Sequence, residues 1–479
     1  MSELPKIALS HLCDKITDGT HHSPPNFPHG QFKYITAKNI KPWGLDLNNL
    51  TYVDEATHRE IYARCDVRKD DVLYIKDGAT TGTAVLNPLD EQFSLLSSVG
   101  VLRPGPAVRP KYLLYALQDP RTKAEMMEGV AGVAITRLTL KKLGAAEIPV
   151  APLATQDRIV EKLEELLSGL DAGVAELKAA QRKLARYRQS LLKAAVQGEL
   201  TAAWRARHPP QETGAQLLAR ILAERRTRWE ARQLAKFAQQ GKAPPKDWRQ
   251  KYPEPVRPDT TGLPALPQGW VWSSLGECFD VAVGATPSRK EPGYWNGSIP
   301  WVSSGEVRFS RIRETKETIS EAGLNNSSTQ INPAGSVLLG MIGEGKTRGQ
   351  VAILDVPAAN NQNCAAIWVG ETLVAPEYVY YWLWSRYEQT RRGSSGNNQP
   401  ALNKSIVERI TLPLPPLAEV SEIVRTVESV LAEIAQQEAA VEHALRQSTA
   451  QRQNLLRAAF SGQLVPQNPA DEPASALLA

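Results

Sequence analysis

A 479-residue chain is long enough for about three domains of ordinary size, and with 42% hydrophobic and 22% charged residues it can build ordinary globular cores. No apolar run approaches the roughly 18 residues of a membrane span, the opening MSELPKIALS lacks a signal-peptide stretch, and Cys13, Cys65, Cys278 and Cys364 lie too far apart for a metal site; a cytoplasmic protein is expected. The net charge of +5 excludes a uniformly basic coat: residues 201–260 hold thirteen Lys/Arg against six Asp/Glu, a surplus of +7 that leaves −2 for the rest.

In chain order, residues 1–150 read as a β-rich domain. Asp71–Leu86 (DVLYIKDGATTGTAVL) has the pattern strand, Gly/Thr/Lys turn, strand, and PKYLLYALQDP adds a short helix. A long helix follows over 151–204. The prolines before it set its start, since proline fits a first turn but not an interior, and Gly198 sits where a glycine stop belongs. Along it Leu163, Leu170, Leu177, Leu184 and Leu191 recur every seven residues, with Leu166, Gly173, Ala180, Tyr187 and Ala194 as a second row. An apolar seam sustained over about five heptads indicates a coiled coil. Residues 205–263 give a charged helix, Gly214–Gln239, and a Pro-rich linker. A second β-rich domain, 264–414, contains SVLLGMIGEGKTRGQVAIL (Ser336–Leu354), a short helix in PEYVYYWLWSRY, and seven of the eleven tryptophans. A second long helix spans 415–465, with Val427, Ile434, Val441, Ser448 and Leu455 in the seven-residue register and Gly462 at its end. Residues 466–479 read as a disordered tail.

The chain repeats itself. IPVAPLATQDRIVEKLEELL from Ile148 matches LPLPPLAEVSEIVRTVESVL from Leu412, an offset of 264 that holds without a gap to QSLLKAAVQGEL (Gln189–Leu200) against QNLLRAAFSGQL (Gln453–Leu464). The register extends back to Gly129, Gly132 and Leu138 against Gly393, Gly396 and Leu402. Small residues on the helices (Gly173, Ala180, Ala194, Ala444, Ala458) suit two closely paired backbones. Two unrelated surface helices, each buried on its own domain, are the alternative.

Two β-rich units alternating with two long helices resemble the specificity subunits of type I restriction–modification systems. The likeness is carried by Gly284–Val307 (GATPSRKEPGYWNGSIPWVSSGEV), GSVLLGMIGEGKTRGQVAIL, Asn360–Ile367 (NNQNCAAI) and Asn397–Glu419 (NNQPALNKSIVERITLPLPPLAE) in the second domain. In the first it is carried by Thr17–Pro25 (TDGTHHSPP) and Phe32–Lys41 (FKYITAKNIK). Related helices often open with Pro-Leu-x-Glu-Gln, whereas this chain has Ala154-Thr155-Gln156 and Ala418-Glu419-Val420. The resemblance implies an α+β fold: two target-recognition domains separated by a pair of long antiparallel coiled-coil helices, with a pseudo-twofold internal repeat. It implies a non-catalytic subunit that reads a bipartite, asymmetric site in double-stranded DNA. Two methyltransferase subunits would bring S-adenosylmethionine, and two restriction (motor–nuclease) subunits would bring ATP and Mg. An adaptor of a methylation-only or other phage-defence complex is the alternative. The basic helix, with Arg225, Arg226 and Arg228 within Arg220–Arg232, is expected to face phosphates or an acidic partner.

Other chemistry finds little support. Gly340–Thr347 (GMIGEGKT) matches a phosphate-binding loop, but such a loop needs a helix opening at its Lys-Thr, and RGQVAILDV predicts a return strand. An adenine methyltransferase needs an Asn/Asp-Pro-Pro-aromatic tetrad, and SPPN, HPPQ, APPK and LPPL do not provide one. His21, His22 and His29 lack the Cys or carboxylate company of a metal site, so no cofactor or metal is expected on this chain. Base reading uses Arg or Lys for guanine, Asn or Gln for adenine and Asp or Glu for cytosine. The candidates are His21, His22, Lys38, Asn39, Lys41 and Lys76 in the first domain. In the second they are Arg289, Lys290, Ser303, Glu306, Arg308, Lys346, Arg348, Asn363, Asn398 and Gln399.

Overall fold

The computed structural model describes residues 4–128, 137–343, 346–392, 402–472 and 476. The chain forms two compact units, 1–180 with 440–479, and 181–439. Each unit therefore joins one β-rich domain to part of both long helices.

In the first unit, Lys6–Ala8 pairs antiparallel with Glu147–Pro149, tying the start of the domain to the strand that feeds the helix. The centre is a four-stranded sheet in the order Cys13–Asp18, Val99–Pro104, Val72–Ile75, Ala84–Leu86. Because successive side chains in a strand point to opposite faces, Val72 and Tyr74 enter one core and Leu73 and Ile75 another. Both faces are covered, which is why this strand is apolar throughout rather than alternating. One core includes Ile159, Leu163 and Leu167 of the first long helix and Leu456, Ala459 and Phe460 of the second. The other is closed by the three strands Thr51–Val53, Phe32–Ile35 and Ser94–Leu95.

The second unit repeats the plan. Val271–Ser274 pairs with Thr411–Leu414. A five-stranded sheet runs Val281–Val283, Cys364–Ile367, Val337–Gly340, Val351–Leu354, Ser310–Ile312, beside a three-stranded one made of Glu317–Ile319, Trp295–Val302 and Ala359–Asn360. Its larger core takes Leu192, Ala195 and Val196 from the first helix and Val420, Ile423 and Val427 from the second. Leu192, Ala195 and Val196 are the repeat counterparts of Leu456, Ala459 and Phe460. Each domain also fastens its short helix to the strand before the long one: Tyr112 donates to the Pro149 carbonyl at 2.9 Å and Tyr378 to that of Pro413 at 2.6 Å. Both expected hairpins form, Val72–Ile75 with Ala84–Leu86 and Val337–Gly340 with Val351–Leu354.

The long helices are Leu153–Val196 and Leu417–Phe460, 44 residues each, or about 66 Å at 1.5 Å per residue. They open at matching prolines, whose carbonyls accept the first turn's amides (Gln156 to Pro152, Val420 to Pro416). They stop at Gly198 and Gly462, whose φ values of 73° and 76° favour glycine. Within each unit the start of one helix lies beside the end of the other, so the pairing there is antiparallel. Asp171 receives Arg452 at 2.8 Å in the first unit, and Glu438 receives Arg188 in the second. Arg188 and Arg452 are counterparts in the repeat.

In the leucine row Leu163, Leu170, Leu177, Leu184, Leu191, Val427, Ile434, Val441 and Leu455 are all buried or half-buried. In the second row Leu166, Gly173, Ala180 and Ala194 are half-buried as well. Tyr187, at 53% exposed, is the one position of that row that lies outward, and its neighbour Arg188 is half-buried instead. Along much of the helix, positions three and four residues on from the leucine row both turn inward, as an apolar stripe wider than a strict a/d seam would have it. The tail expected to be disordered is placed as far as Glu472, with Asp471 accepting from Thr155 at 2.6 Å and from Arg158 at 2.5 Å.

The linker helix is Gly214–Gln239, as its sequence indicates. Its cations do not wait for phosphate. Arg225 bonds Asp280 at 3.1 Å and the Gly276 carbonyl at 2.5 Å, while Arg232 bonds Asp280 at 2.8 Å and also Glu371. Arg228 lies 3.9 Å from both Glu224 and Glu371, and Arg226 pairs with Glu230 over the Tyr252 ring. Asp280 and Glu371 belong to the second domain, so Arg225, Arg228 and Arg232 strap the helix to it, while Arg226 pairs within the helix. Among the described residues no helix is long and apolar enough to cross a membrane.

Because Phe460 completes the first unit's core from the far end of the chain, Phe460→Ala should cost about 3–5 kcal/mol. Hydrogen exchange should quicken in Val72–Ile75 and stay unchanged in Val337–Gly340.

Candidate nucleic-acid interface

Sheets buried on both faces leave their strand ends as the places where loops can carry polar side chains. In the first domain, the loops after Cys13–Asp18, Phe32–Ile35 and Val72–Ile75 meet at one end: Thr20 bridges Leu96, the Leu96 amide donates to the Ile35 carbonyl, and the Lys76 amide donates to Ser98. Gly19 is required there, because a Cβ would sit 1.9 Å from the Leu95 carbonyl oxygen. Gly284 has the same role in the second domain, with the Asn360 oxygen at 1.8 Å.

This end presents some of the candidates and withholds others. His21, His22 and Lys38 are exposed, and Lys41 is half-buried. Lys76 is 2% exposed, its ammonium 3.1 Å from Asp77 and 3.4 Å from the equally buried Asp18. It ties loops together and cannot reach a duplex. Asn39 is also withdrawn: its carbonyl accepts from the Thr36 amide at 3.0 Å and its amide donates to Asp46 and Asn49 carbonyls. It shapes a capped turn. Sequence reasoning missed Arg64, which donates to Asp18 at 2.6 Å and meets the His21 ring at 2.7 Å, with about half of its side chain exposed. It ends a helix, Glu55–Arg64, and only its position in the last turn could have flagged it.

In the second domain the loops after Val281–Val283, Trp295–Val302 and Val337–Gly340 meet at the corresponding end. Thr286 bonds Gln362 at 2.6 Å, the Asn361 amide donates to Val302, and the Met341 amide donates to Asn363. Arg289 lies over Trp295 with its guanidinium carbon 3.6 Å from the ring centre, and it grips Glu317 through both terminal nitrogens, at 2.5 and 3.0 Å. That bond holds the Glu317 carboxyl below the usual carboxylate range. The result is a planar cation held in one orientation at the surface. Lys290, Arg308 and Lys346 are exposed, and Arg348 and Asn363 are half-buried. Ser303 and Glu306 form a capping box in which the Glu306 carboxylate also accepts the Lys316 amide at 2.9 Å. Both are engaged in shaping their loop, as Asn39 is. Asn398 and Gln399 lie outside the described residues.

The GEGKT segment has no helix behind it. Gly349 donates back to Gly340 at 2.8 Å, and the next element is the strand Val351–Leu354. A helix N-terminus aimed at phosphate, which a nucleotide loop needs, is therefore missing from this geometry. The cysteines are free thiols, and burial pushes those of Cys65, Cys278 and Cys364 up to about 12. They are poor nucleophiles and poor metal ligands.

The family model described as type I restriction modification DNA specificity domain matches residues 28–178 and 267–443. The chain belongs to that family. The match falls once on each copy of the repeat and takes in most of each domain with the first part of its long helix. Among relatives, the type I restriction enzyme MjaIX specificity subunit of Methanocaldococcus jannaschii is 29% identical over 168 residues, covering 34% of this chain and 38% of its own length. The EcoBI specificity subunit of Escherichia coli is 29% identical over 198 residues, covering 40% and 41%. These matches thus span about two-fifths of the relatives' length. A solved structure, reported for complex assembly and conformational transition of a type I R-M system, aligns over 97% of this chain and 100% of its own, with a TM-score of 0.63 and 16% identity. At that identity the likeness is one of fold. The second matched segment contains the second domain's loop end, and the first contains the loops after Phe32–Ile35 and Val72–Ile75 but begins beyond His21 and His22.

Replacing Lys76 removes the buried cation between Asp18 and Asp77 and leaves Asp18 to Arg64 alone and Asp77 to Arg137 at 3.7 Å; breaking a fully buried pair costs about 3–5 kcal/mol, an upper bound here. Lys76→Met should therefore lower the thermal midpoint, and adding Asp77→Asn, whose close cation is Lys76, should recover part of the loss. Lys38→Ala, at an exposed site, should leave the midpoint within a degree or so.

Proposed function

We propose that this chain is the sequence-reading subunit of a type I restriction–modification complex. It binds a bipartite, asymmetric site in double-stranded DNA in the cytoplasm, one half per domain. The two long helices carry two methyltransferase subunits, which supply S-adenosylmethionine, and two restriction subunits, which use ATP and Mg. The chain itself holds none of these cofactors and performs no bond chemistry.

One observation carries this proposal: the DNA-specificity family matches twice, once on each copy of an internal repeat whose domains differ in sequence. Two different readers on one chain suit two different half-sites. The loop ends supply the groups such reading needs, an oriented guanidinium in Arg289 and exposed cations in Lys38, Lys290, Arg308 and Lys346. Lys and Arg also contribute the phosphate attraction that makes up much of any affinity for DNA.

Methylome sequencing of cells with and without the gene tests this directly. An adenine-methylated motif of two unlike half-sites, separated by unread positions, should be present only with the gene. A methylome indifferent to the gene would refute the proposal. The same motif in cells that still admit unmodified phage DNA would point to a methylation-only complex.

A further inference from the structure

The loop end of the second domain contains an open cleft of about 900 Å³ between the segment Gly305–Arg308 and the segment Ser310–Lys316. Four cations line it, Arg308, Arg311, Arg313 and Lys316, with the carboxylates Glu306 and Glu314. Most of this charge is already matched. Arg311 bonds Asp355 at 2.8 Å and Glu377 at 2.6 Å, and Arg313 bonds Asp355 at 3.2 Å. Glu306 is engaged by Ser303 and by the Lys316 amide. Among the described residues, Arg308 and Lys316 have no carboxylate partner, and both are exposed. Glu314, exposed on the same wall, is the carboxylate left unmatched there.

The cleft's backbone is fixed. Glu306 holds both walls, through Ser303 on one side and Lys316 on the other. The first domain repeats the device: Thr36 and Asn39 form a capping box, Asn39 reaches Asn49 across the same gap, and Ile40-Lys41 follow the turn as Val307-Arg308 do here. A cation after a capped turn is thus built into both copies.

We infer that this cleft seats phosphate groups of the DNA backbone, with Arg308 and Lys316 as their ligands. The inference rests on the DNA-reading function proposed above and gives this part of the interface its task. An open cationic cleft with no aromatic wall suits a phosphodiester better than a base edge. Such contacts fix where a protein sits on a duplex and carry no sequence information themselves. The cleft therefore sets the register of the second domain, and base reading falls to neighbours such as Arg289.

The test uses the full chain with its methyltransferase subunits, a duplex carrying the methylated motif, a scrambled duplex, and a series of salt concentrations. In the Arg308→Ala/Lys316→Ala variant both affinities should fall by the same factor. The plot of log affinity against log salt should become shallower by about 2, at roughly 0.9 for each phosphate no longer neutralised. Glu314→Gln should tighten both duplexes alike, a gain that misfolding cannot imitate, and Arg308→Lys should keep the wild-type slope. The methylated motif should stay the same throughout. An unchanged slope in the double variant, or a changed motif, would overturn the inference while leaving wild-type DNA binding intact. A wild-type complex that binds neither duplex would instead overturn the proposed function.

Discussion

Everything in this molecule depends on an antiparallel exchange between its two long helices. Neither domain closes its own core. The last turns of the first helix, with Leu192, Ala195 and Val196, fill the second domain's core, and the last turns of the second, with Leu456, Ala459 and Phe460, fill the first's. A helix beginning on one domain must therefore end in the unit of the other. Burying a large side chain is worth about 1.5–3 kcal/mol, so each exchange is a substantial part of the marginal stability of either unit. The arginines at the equivalent positions 188 and 452 add direction to this apolar pairing, because each finds a carboxylate on the opposite helix only in one register.

That closure settles what the rest of each domain can do. With helices on one face of the central sheet and a smaller sheet on the other, both faces are dry, and polar side chains are confined to strand ends. There the structure spends many polar groups on shape. Asn39 and Glu306 hold capped turns, and Asp18, Lys76 and Asp77 form a buried ionic cluster beneath exposed histidines. Lys38, Lys290, Arg308, Lys316 and Lys346 remain exposed there, and such cations suit a polyanion approached from that end.

Much of this was legible in the sequence because it is periodic or repeated. The offset of 264 shows two copies, the seven-residue leucine row shows the helices, and turn chemistry shows both hairpins. The linker helix was legible to its ends, since Thr213 caps one and Gly241 follows the other. Individual exposures were not legible, because each depends on a neighbour far away in the chain. Lys76 looks like a turn cation until Asp18, 58 residues earlier, is seen beside it. The basic linker looks like a phosphate binder until Asp280 and Glu371 are found against it. Tyr187 keeps the spacing of a half-buried row and is nevertheless exposed. Arg64 and Lys316 carry no pattern of their own, and only the folded loops bring them into view.

The central claim is that one chain carries two independent readers of DNA. The most direct measurement is methylome sequencing of cells carrying the Arg289→Ala/Lys346→Ala variant, in which both changes lie in second-domain loops. One half of the methylated motif should relax or change at particular bases, while the other half and the gap between them stay as in the wild type. Changes in both halves at once, or a motif identical to the wild type's, would contradict independent reading by the two domains.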